Sequence, residues 1–222
     1  MPRRRKGKLL IVSAPSGAGK TTLCHRLLAD FPAQLVFSIS CTTRKPRSNE
    51  ASGRDYDFLS ETEFKRRIKA REFAEWAEVH GHYYGTLKSR LREATDKGLS
   101  VVLDIDVQGA ESLSQAFPRQ CVSVFVTPPS LAELARRLKS RATDDPQIIQ
   151  TRILNAEREM ERSKDFDFVI INDDLDRAYD KLKAIVMRDV FGSETATTRK
   201  STSRERRAGR NGSRQPRRPH EQ

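Results

Sequence analysis

Residues Ala14–Thr22 read A-P-S-G-A-G-K-T-T, directly after the apolar run Leu9-Leu10-Ile11-Val12 and ahead of a helical pattern from Leu23 to Leu28. Strand, glycine-containing loop and helix in that order form the setting of a phosphate-binding P-loop. Gly17 and Gly19 let the backbone turn tightly and bring N–H groups to phosphate oxygens. The helix that follows aims its N-terminus at the same anion. Lys20 adds a cation with the reach to meet β- and γ-phosphates, and the hydroxyl of Thr21 is placed to ligate Mg²⁺. The ATP-binding set is therefore Ala14, Pro15, Ser16, Gly17, Ala18, Gly19, Lys20, Thr21 and Thr22. One position departs from G-x-x-x-x-G-K-[ST]: Ala14 stands where the first Gly is usual, a small residue read as tolerated.

Outward from the loop, β-rich apolar runs at Lys8–Ser13, Ser100–Ile105, Val122–Val126 and Phe168–Ile171 alternate with helical patterns at Lys20–Asp30, Val107–Ala116, Leu131–Lys139 and Leu175–Val190. Continuously apolar strands between helices predict an α/β fold, a parallel sheet covered on both faces. Two inserts break the rhythm: polar loops, aromatics and short helices over about 35–97, and an arginine-rich helical segment over about 137–165. Inserts at the carboxyl ends of a parallel sheet are where substrate lobes and lids belong.

Composition narrows the class further. Of the net charge of +12, residues 1–8 supply five Lys/Arg with no acid, and residues 193–222 supply nine against three Glu. About +1 is left for residues 9–192, so the basicity belongs to the two ends and not to a body-wide nucleic-acid face. Residues 1–7 are read as a basic extension and 8–192 as the folded unit. Residues 193–222, rich in Ser, Thr, Arg and Gly, are read as a disordered basic tail. Weak, nonspecific attraction of nucleic acid by that tail is the one nucleic-acid role the sequence leaves room for. No apolar stretch is long enough to span a bilayer. The charged start runs into the P-loop without a signal-peptide core. Cys24, Cys41 and Cys121 are far apart and odd in number, which argues for a reducing, cytoplasmic setting. His80 and His82 are read as residues beside a turn.

The first insert carries a second constellation. Ser38-Ile39-Ser40-Cys41-Thr42-Thr43-Arg44-Lys45-Pro46-Arg47 is followed by Gly53-Arg54-Asp55-Tyr56-Asp57-Phe58, then Glu72-Phe73-Ala74-Glu75-Trp76-Ala77 and Tyr83-Tyr84-Gly85-Thr86. Arg44 and Arg47, three apart across Pro46, can converge on one small anion, and guanidinium forks suit a phosphate dianion. Tyr56 and Tyr84 can donate hydroxyls to it or stack a base. The plainer reading is a basic loop packed by core aromatics.

Taken together, S-x-S-x-T-T-R-x-P-R, the G-x-D-Y-x-F run, E-W-A-E, Y-Y-G-T, L-D-I-D-x-Q-G and V-I-I-N-D-D-L-D resemble guanylate kinase, in order and spacing, from about Lys8 to Val190. The resemblance implies a P-loop NTPase-type parallel sheet flanked by helices, with an inserted GMP-binding lobe (about 35–97) and a helical lid (about 137–165). It implies GMP-site positions at Ser40, Arg44, Arg47, Tyr56, Glu75, Tyr84, Thr86 and Asp104. Arg44, Arg47, Tyr56 and Tyr84 match the phosphate clamp, and Ser40, Glu75, Thr86 and Asp104 match the guanine readers. Asp106, in the same strand-end motif, stays open between ordering Mg²⁺ through water and a structural role. Leu134–Thr143 resembles the lid entry, with Ala142 where Gly is common. Arg141 and Arg152 fall on catalytic positions over the ATP phosphates. Arg137 stays open between that role and helix-surface charge with Glu157, Glu159 and Glu161 as partners.

Base chemistry agrees with this assignment. Guanine offers N1–H and an N2 amino group as donors and O6 as acceptor. Carboxylates of Glu75 and Asp104 suit the donors, and a hydroxyl of Ser40 or Thr86 can donate to O6. Adenine would set its N1 lone pair against a carboxylate. The expected reaction is Mg²⁺-dependent ATP + GMP to ADP + GDP, with dGMP as a further substrate. Small-molecule substrates are the expected partners, no membrane is involved, and a homo-oligomer is compatible with the reading. A non-enzymatic guanylate-kinase-like module would usually carry a degraded P-loop, whereas Gly19-Lys20-Thr21 is intact. A sugar-phosphate kinase would not need Glu75 and Asp104, and a nucleic-acid binder rests on the basic ends alone.

Overall fold

The structure is a computed structural model that describes residues 6–79, 81–140 and 146–192. The readings made for residues 1–5, His80, Arg141, Ala142 and the 193–222 tail lie outside the described residues.

The central sheet is parallel and has the order β2-β7-β1-β8-β9. Its strands are β1 (Leu9–Ser13), β2 (Leu35–Phe37), β7 (Ser100–Asp104), β8 (Cys121–Thr127) and β9 (Phe168–Ile171). Strand β1 sits in the middle, pairing Leu9–Val12 with Val101–Asp104 on one side and Leu9–Ser13 with Cys121–Phe125 on the other. All five of its residues are buried. Side-chain alternation sends Leu10 and Val12 to one face and Leu9 and Ile11 to the other. The first face is covered by α1 (Lys20–Asp30) and α7 (Leu175–Ile185), through Leu23, Leu27, Ala178 and Leu182. The second is covered by α3 (Lys88–Asp96) and α4 (Val107–Ala116), through Leu91, Ala110 and Leu113. Each such Leu, fully buried, contributes about 2 kcal/mol of transfer free energy. Asp30 joins α1 to α7, accepting from the Tyr179 hydroxyl at 2.5 Å and the Lys183 ammonium at 2.7 Å.

The sequence reading placed the first insert from residue 35. Leu35–Phe37 instead forms the edge strand β2 of the central sheet, paired with Ser100–Val102. The insert proper builds a small sheet of order β4-β3-β6-β5, from β3 (Cys41–Thr42), β4 (Asp57–Phe58), β5 (Phe73–Val79) and β6 (His82–Leu87). Helix α2 (Glu61–Lys69) packs on it. Ser60 caps α2 by accepting from the Glu63 N–H at 3.2 Å, and Phe64 stacks on Phe73 with ring centroids 4.3 Å apart. The second insert pairs α5 (Leu131–Ser140) with α6 (Pro146–Glu161) through Leu134, Leu138, Ile149, Ile153 and Ala156. A single 3-10 turn follows at Arg162–Asp165. Helix α7 ends at Ile185, and a π-helical turn carries the chain through Val190. Among the described residues no helix is long and apolar enough to cross a membrane.

Candidate functional site

The polar residues gather at the carboxyl edge of the central sheet. After β1 the chain turns through Gly17 (φ 92°) and Gly19 (φ 93°), both in the left-handed region. A side chain at Gly17 would press on Leu134 and Leu138 of α5, and one at Gly19 would collide with the amide of Asn172. Ala14, the departure from the usual motif, is buried. Among the described non-glycine residues only Arg71 has a positive φ, so the Ala14 position does not require glycine's freedom.

The loop borders a cavity of about 340 Å³ lined by Ala14–Gly17, Gly19–Thr22, Asp106 and Glu159. Ala18 is fully buried beneath it, its carbonyl accepting from the Asn172 amide at 2.7 Å. Asn172 is a residue whose role the sequence did not reveal. It sits just past β9, is 4% exposed, and fastens the loop from below. Arg152, on α6, donates to the Ser16 hydroxyl at 3.4 Å. Arg137 does not line this cavity. Its guanidinium bonds Glu133 at 2.8 Å and the Asn172 carbonyl at 2.9 Å, so it ties α5 to the end of β9.

A second cavity, about 560 Å³, lies between the central sheet and the small one. Of the residues matched to a GMP site, Ser40, Tyr56, Glu75, Tyr84 and Asp104 line it, whereas Arg44, Arg47 and Thr86 do not. His25, Phe37, Ser38, Glu50, Arg54 and Val79 line it too and were not singled out from sequence. Phe37 and Val79 leave large apolar surfaces exposed there, 40% and 38%, which suits the face of a planar ring. No periodic signal marks them, because they come from a strand edge and a strand end.

Glu75 is buried on β5, and the Thr86 hydroxyl on β6 donates to its Oε1 at 2.6 Å. Burial pushes its carboxyl above the usual range, with Asp106 adding to the rise and Thr86 opposing it. The Thr86 proton is thus committed to Glu75, and Thr86 itself is 1% exposed. Thr86 therefore orients the carboxylate and has no hydroxyl proton left for a ligand acceptor. Asp104 at the end of β7 pairs with Lys20 at 2.5 Å, so a residue assigned to the base also holds the P-loop cation. Arg44 bonds Glu50 at 2.9 Å and lies over the Tyr56 ring, 5.5 Å from its centroid. Arg47 is exposed, its backbone N–H donating to Glu50 at 2.8 Å.

Asp106 caps α4 through the Gly109 N–H at 2.7 Å, which establishes its structural role. It also lines both cavities, as does Thr21. A hydroxyl and carboxylates are hard oxygen donors, the set Mg²⁺ takes together with nucleotide phosphates and water. Glu159 reaches the P-loop cavity from α6, and burial raises its carboxyl as Lys20 opposes the rise. The thiols of Cys24 and Cys121 are pushed up to about 12, and that of Cys41 to about 11, mainly by burial. None is a nucleophile at neutral pH.

A family profile described as guanylate kinase matches residues 6–189. A guanylate kinase of Maricaulis maris is 51% identical over 183 residues, which is 82% of this chain and 84% of that protein. One of Nitratidesulfovibrio vulgaris is 47% identical, covering 87% of this chain and 93% of the relative. The crystal structure of guanylate kinase from Anaplasma phagocytophilum superposes with a TM-score of 0.65 at 30% identity, covering 86% of this chain and 98% of that one. The parallel sheet, the intact P-loop and the second polar cavity thus sit in a chain that belongs to the guanylate kinase family.

Proposed function

We propose that this enzyme transfers the γ-phosphoryl group of ATP to GMP, and to dGMP, giving ADP and the guanosine diphosphate. The observation that carries the reading is the shared wall: Thr21 and Asp106 border both the P-loop cavity and the Glu75 cavity. Two phosphate-bearing ligands filling them meet end to end at that wall. ATP takes the P-loop side, its phosphates on loop N–H groups and on Lys20. GMP takes the other side, its base on Glu75, Asp104 and Ser40, and its phosphate on Arg44, Arg47, Tyr56 and Tyr84.

A GMP phosphate oxygen, already ionised near neutral pH, attacks the γ-phosphorus, and the β–γ bridging oxygen leaves with ADP. No strong base is needed, so the residues act by alignment and charge neutralisation. Lys20, Arg141 and Arg152 are assigned to the charge on the transferred group. Thr21 and Asp106 would hold Mg²⁺, which would supply further neutralisation of phosphate charge when bound with ATP. The small sheet is the GMP lobe, and the α5–α6 pair is the lid that excludes water. The free thiols of Cys24, Cys41 and Cys121 suit a reducing, cytoplasmic setting.

ADP formation measured with GMP, dGMP, AMP and a sugar phosphate tests the reading. Turnover should be largest with GMP, retained with dGMP and weak with the other two. Equal rates with AMP would overturn the base assignment, and turnover only with the sugar phosphate would overturn the substrate class.

A further inference from the structure

We propose that Glu50 is a positioning residue that sets the geometry of the phosphate clamp; the inference rests on Arg44 holding the GMP phosphate. Glu50 was not among the residues the sequence pointed to, yet both of its carboxylate oxygens are engaged inside the clamp. Oε1 accepts from Arg44 Nη2 at 2.9 Å, and Oε2 accepts from the Arg47 N–H at 2.8 Å. One carboxylate thereby joins the two arginine positions, which lie on either side of Pro46. The pair is sheltered, with Arg44 17% and Glu50 13% exposed, whereas the Lys97–Glu93 pair on α3 is 64% and 67% exposed. A sheltered charge-assisted bond holds geometry where an exposed one does not.

The other bonds of the loop support a fixed part over a side chain that wandered into the cavity. Glu50 N–H donates to the Arg47 carbonyl at 3.0 Å, closing a turn. Arg44 Nη1 donates to the Lys45 carbonyl at 2.8 Å, so both ends of the guanidinium are tied. Asp55 accepts from the Ala51 N–H at 2.8 Å, and Gly53 N–H donates to the Tyr56 carbonyl at 2.9 Å. These bonds connect the Glu50 turn to Tyr56, the tyrosine beneath Arg44. Arg44 also holds the Glu50 carboxyl below its ordinary range, helped by the Arg47 N–H, which favours the ionised form of the bridge. With Glu50 in place Arg44 presents one fixed edge to the phosphate. Without it the guanidinium keeps only its bond to the Lys45 carbonyl on this loop, and the Arg47 N–H loses its acceptor.

The test compares Glu50→Ala, Glu50→Gln and Arg44→Ala with the parent in the full-length protein. Calorimetry gives affinity for GMP and for guanosine, which lacks the phosphate, and steady-state kinetics gives KM for GMP and for ATP. Glu50→Ala should weaken GMP roughly tenfold, the effect of losing one charged hydrogen bond, and leave guanosine affinity and KM for ATP unchanged. Glu50→Gln keeps one acceptor and should fall between. Unchanged GMP affinity would overturn the proposal. So would tighter GMP binding, which would mean that the carboxylate occupies the phosphate's place. Equal losses for GMP and guanosine, as from a collapsed loop, would also overturn it. Arg44→Ala separates the two levels: if it fails to weaken GMP selectively over guanosine, the clamp reading itself is wrong. If it succeeds where Glu50→Ala does not, only the role of Glu50 fails.

Discussion

The P-loop gathers its anion-binding groups within Ala14–Thr22, largely as backbone N–H donors shaped by Gly17 and Gly19. The opposite cavity draws side chains from Thr21 to Asp106, brought together by antiparallel pairing of β5 with β6 and by the end of β7. The first site is local and uses groups every residue owns. The second is assembled across the lobe and depends on which side chain stands at each place. A loop of converging N–H donors at a helix N-terminus suits an anion and by itself does not distinguish one nucleotide base from another. A side-chain site can read an edge, because an acceptor-only carboxylate rejects another acceptor. On the proposed reading the two halves of the reaction divide into a general part and a selective part.

The largest effect should come where one side chain intrudes into the backbone site. Lys20→Ala should lower kcat by about a thousandfold or more, since the ammonium meets charge that develops during transfer. Its partner Asp104 is 25% exposed and can be rehydrated, so the fold should stand. GMP affinity should survive. The checks are kcat, circular dichroism and GMP calorimetry. Near-normal turnover in a folded variant would mean that the backbone alone suffices, and the contrast would need no lysine.

Next in size is the selective half. Glu75→Gln presents an amide where an acceptor-only group stood, and should cut the GMP-over-AMP preference by about a hundredfold. Arg44→Ala should weaken GMP and AMP alike. A preference unchanged by Glu75→Gln would move the base reading elsewhere. The same variant carries a pH signature. Burial raises the Glu75 carboxyl, and guanine's donors need it ionised. GMP affinity of the parent should therefore fall more steeply than that of Glu75→Gln as pH drops through that raised value, the variant keeping only the fall due to protonation of the GMP phosphate. Stability runs the other way. The folded state prefers the protonated acid, so the burial penalty is present above the raised pKa and fades below it. Glu75→Gln should melt above the parent at pH 8, with the gap closing towards acid.

How much of this was legible follows the same division. Loop, strand and helix around Lys20 could be read directly, because glycines at left-handed positions and a continuous apolar strand are local signals. The alternation of β1, β7, β8 and β9 with helices was legible for the same reason. The small sheet was not. Its strands β3 and β4 are two residues each and carry no period, and the sequence reading saw loops and aromatics where Phe64, Phe73 and Tyr83 stack. The Ser40, Glu75 and Asp104 assignments came from motif resemblance and guanine chemistry, and the structure brings them to one cavity. Who partners whom stayed hidden. Nothing in the sequence says that Thr86 gives its proton to Glu75, that Asp104 holds Lys20, or that Arg137 turns to the Asn172 carbonyl.

Asn172 offers a smaller perturbation of the backbone site. Asn172→Ala leaves the Ala18 carbonyl without its donor under the loop, a loss of about 1–3 kcal/mol for a buried acceptor. KM for ATP should rise several-fold and the melting temperature should fall by several degrees, while KM for GMP stays put. A change in KM for GMP equal to that for ATP would show that the two sites are not separable in the way the comparison holds.

The smallest effect should come from removing residues 193–222. Every residue assigned to chemistry lies between Ala14 and Asn172. The last described helix packs on α1 through Tyr179 and Leu182, and Phe191 closes the end against Phe31, with ring centroids 5.2 Å apart. A chain ending at Gly192 keeps all of those contacts. Its kcat and its KM for GMP should stay within about twofold of the parent, inside the range of substitutions remote from a site. What should change is attraction to polyanions, because nine Lys/Arg leave with the tail against three Glu. Retention on RNA should drop at low salt, and the difference between the two chains should vanish at moderate salt, where exposed charges are screened. A large loss of kinase activity on truncation would mean that the tail contacts one of the two sites, and the division between a backbone site and a side-chain site would have to admit a third contributor.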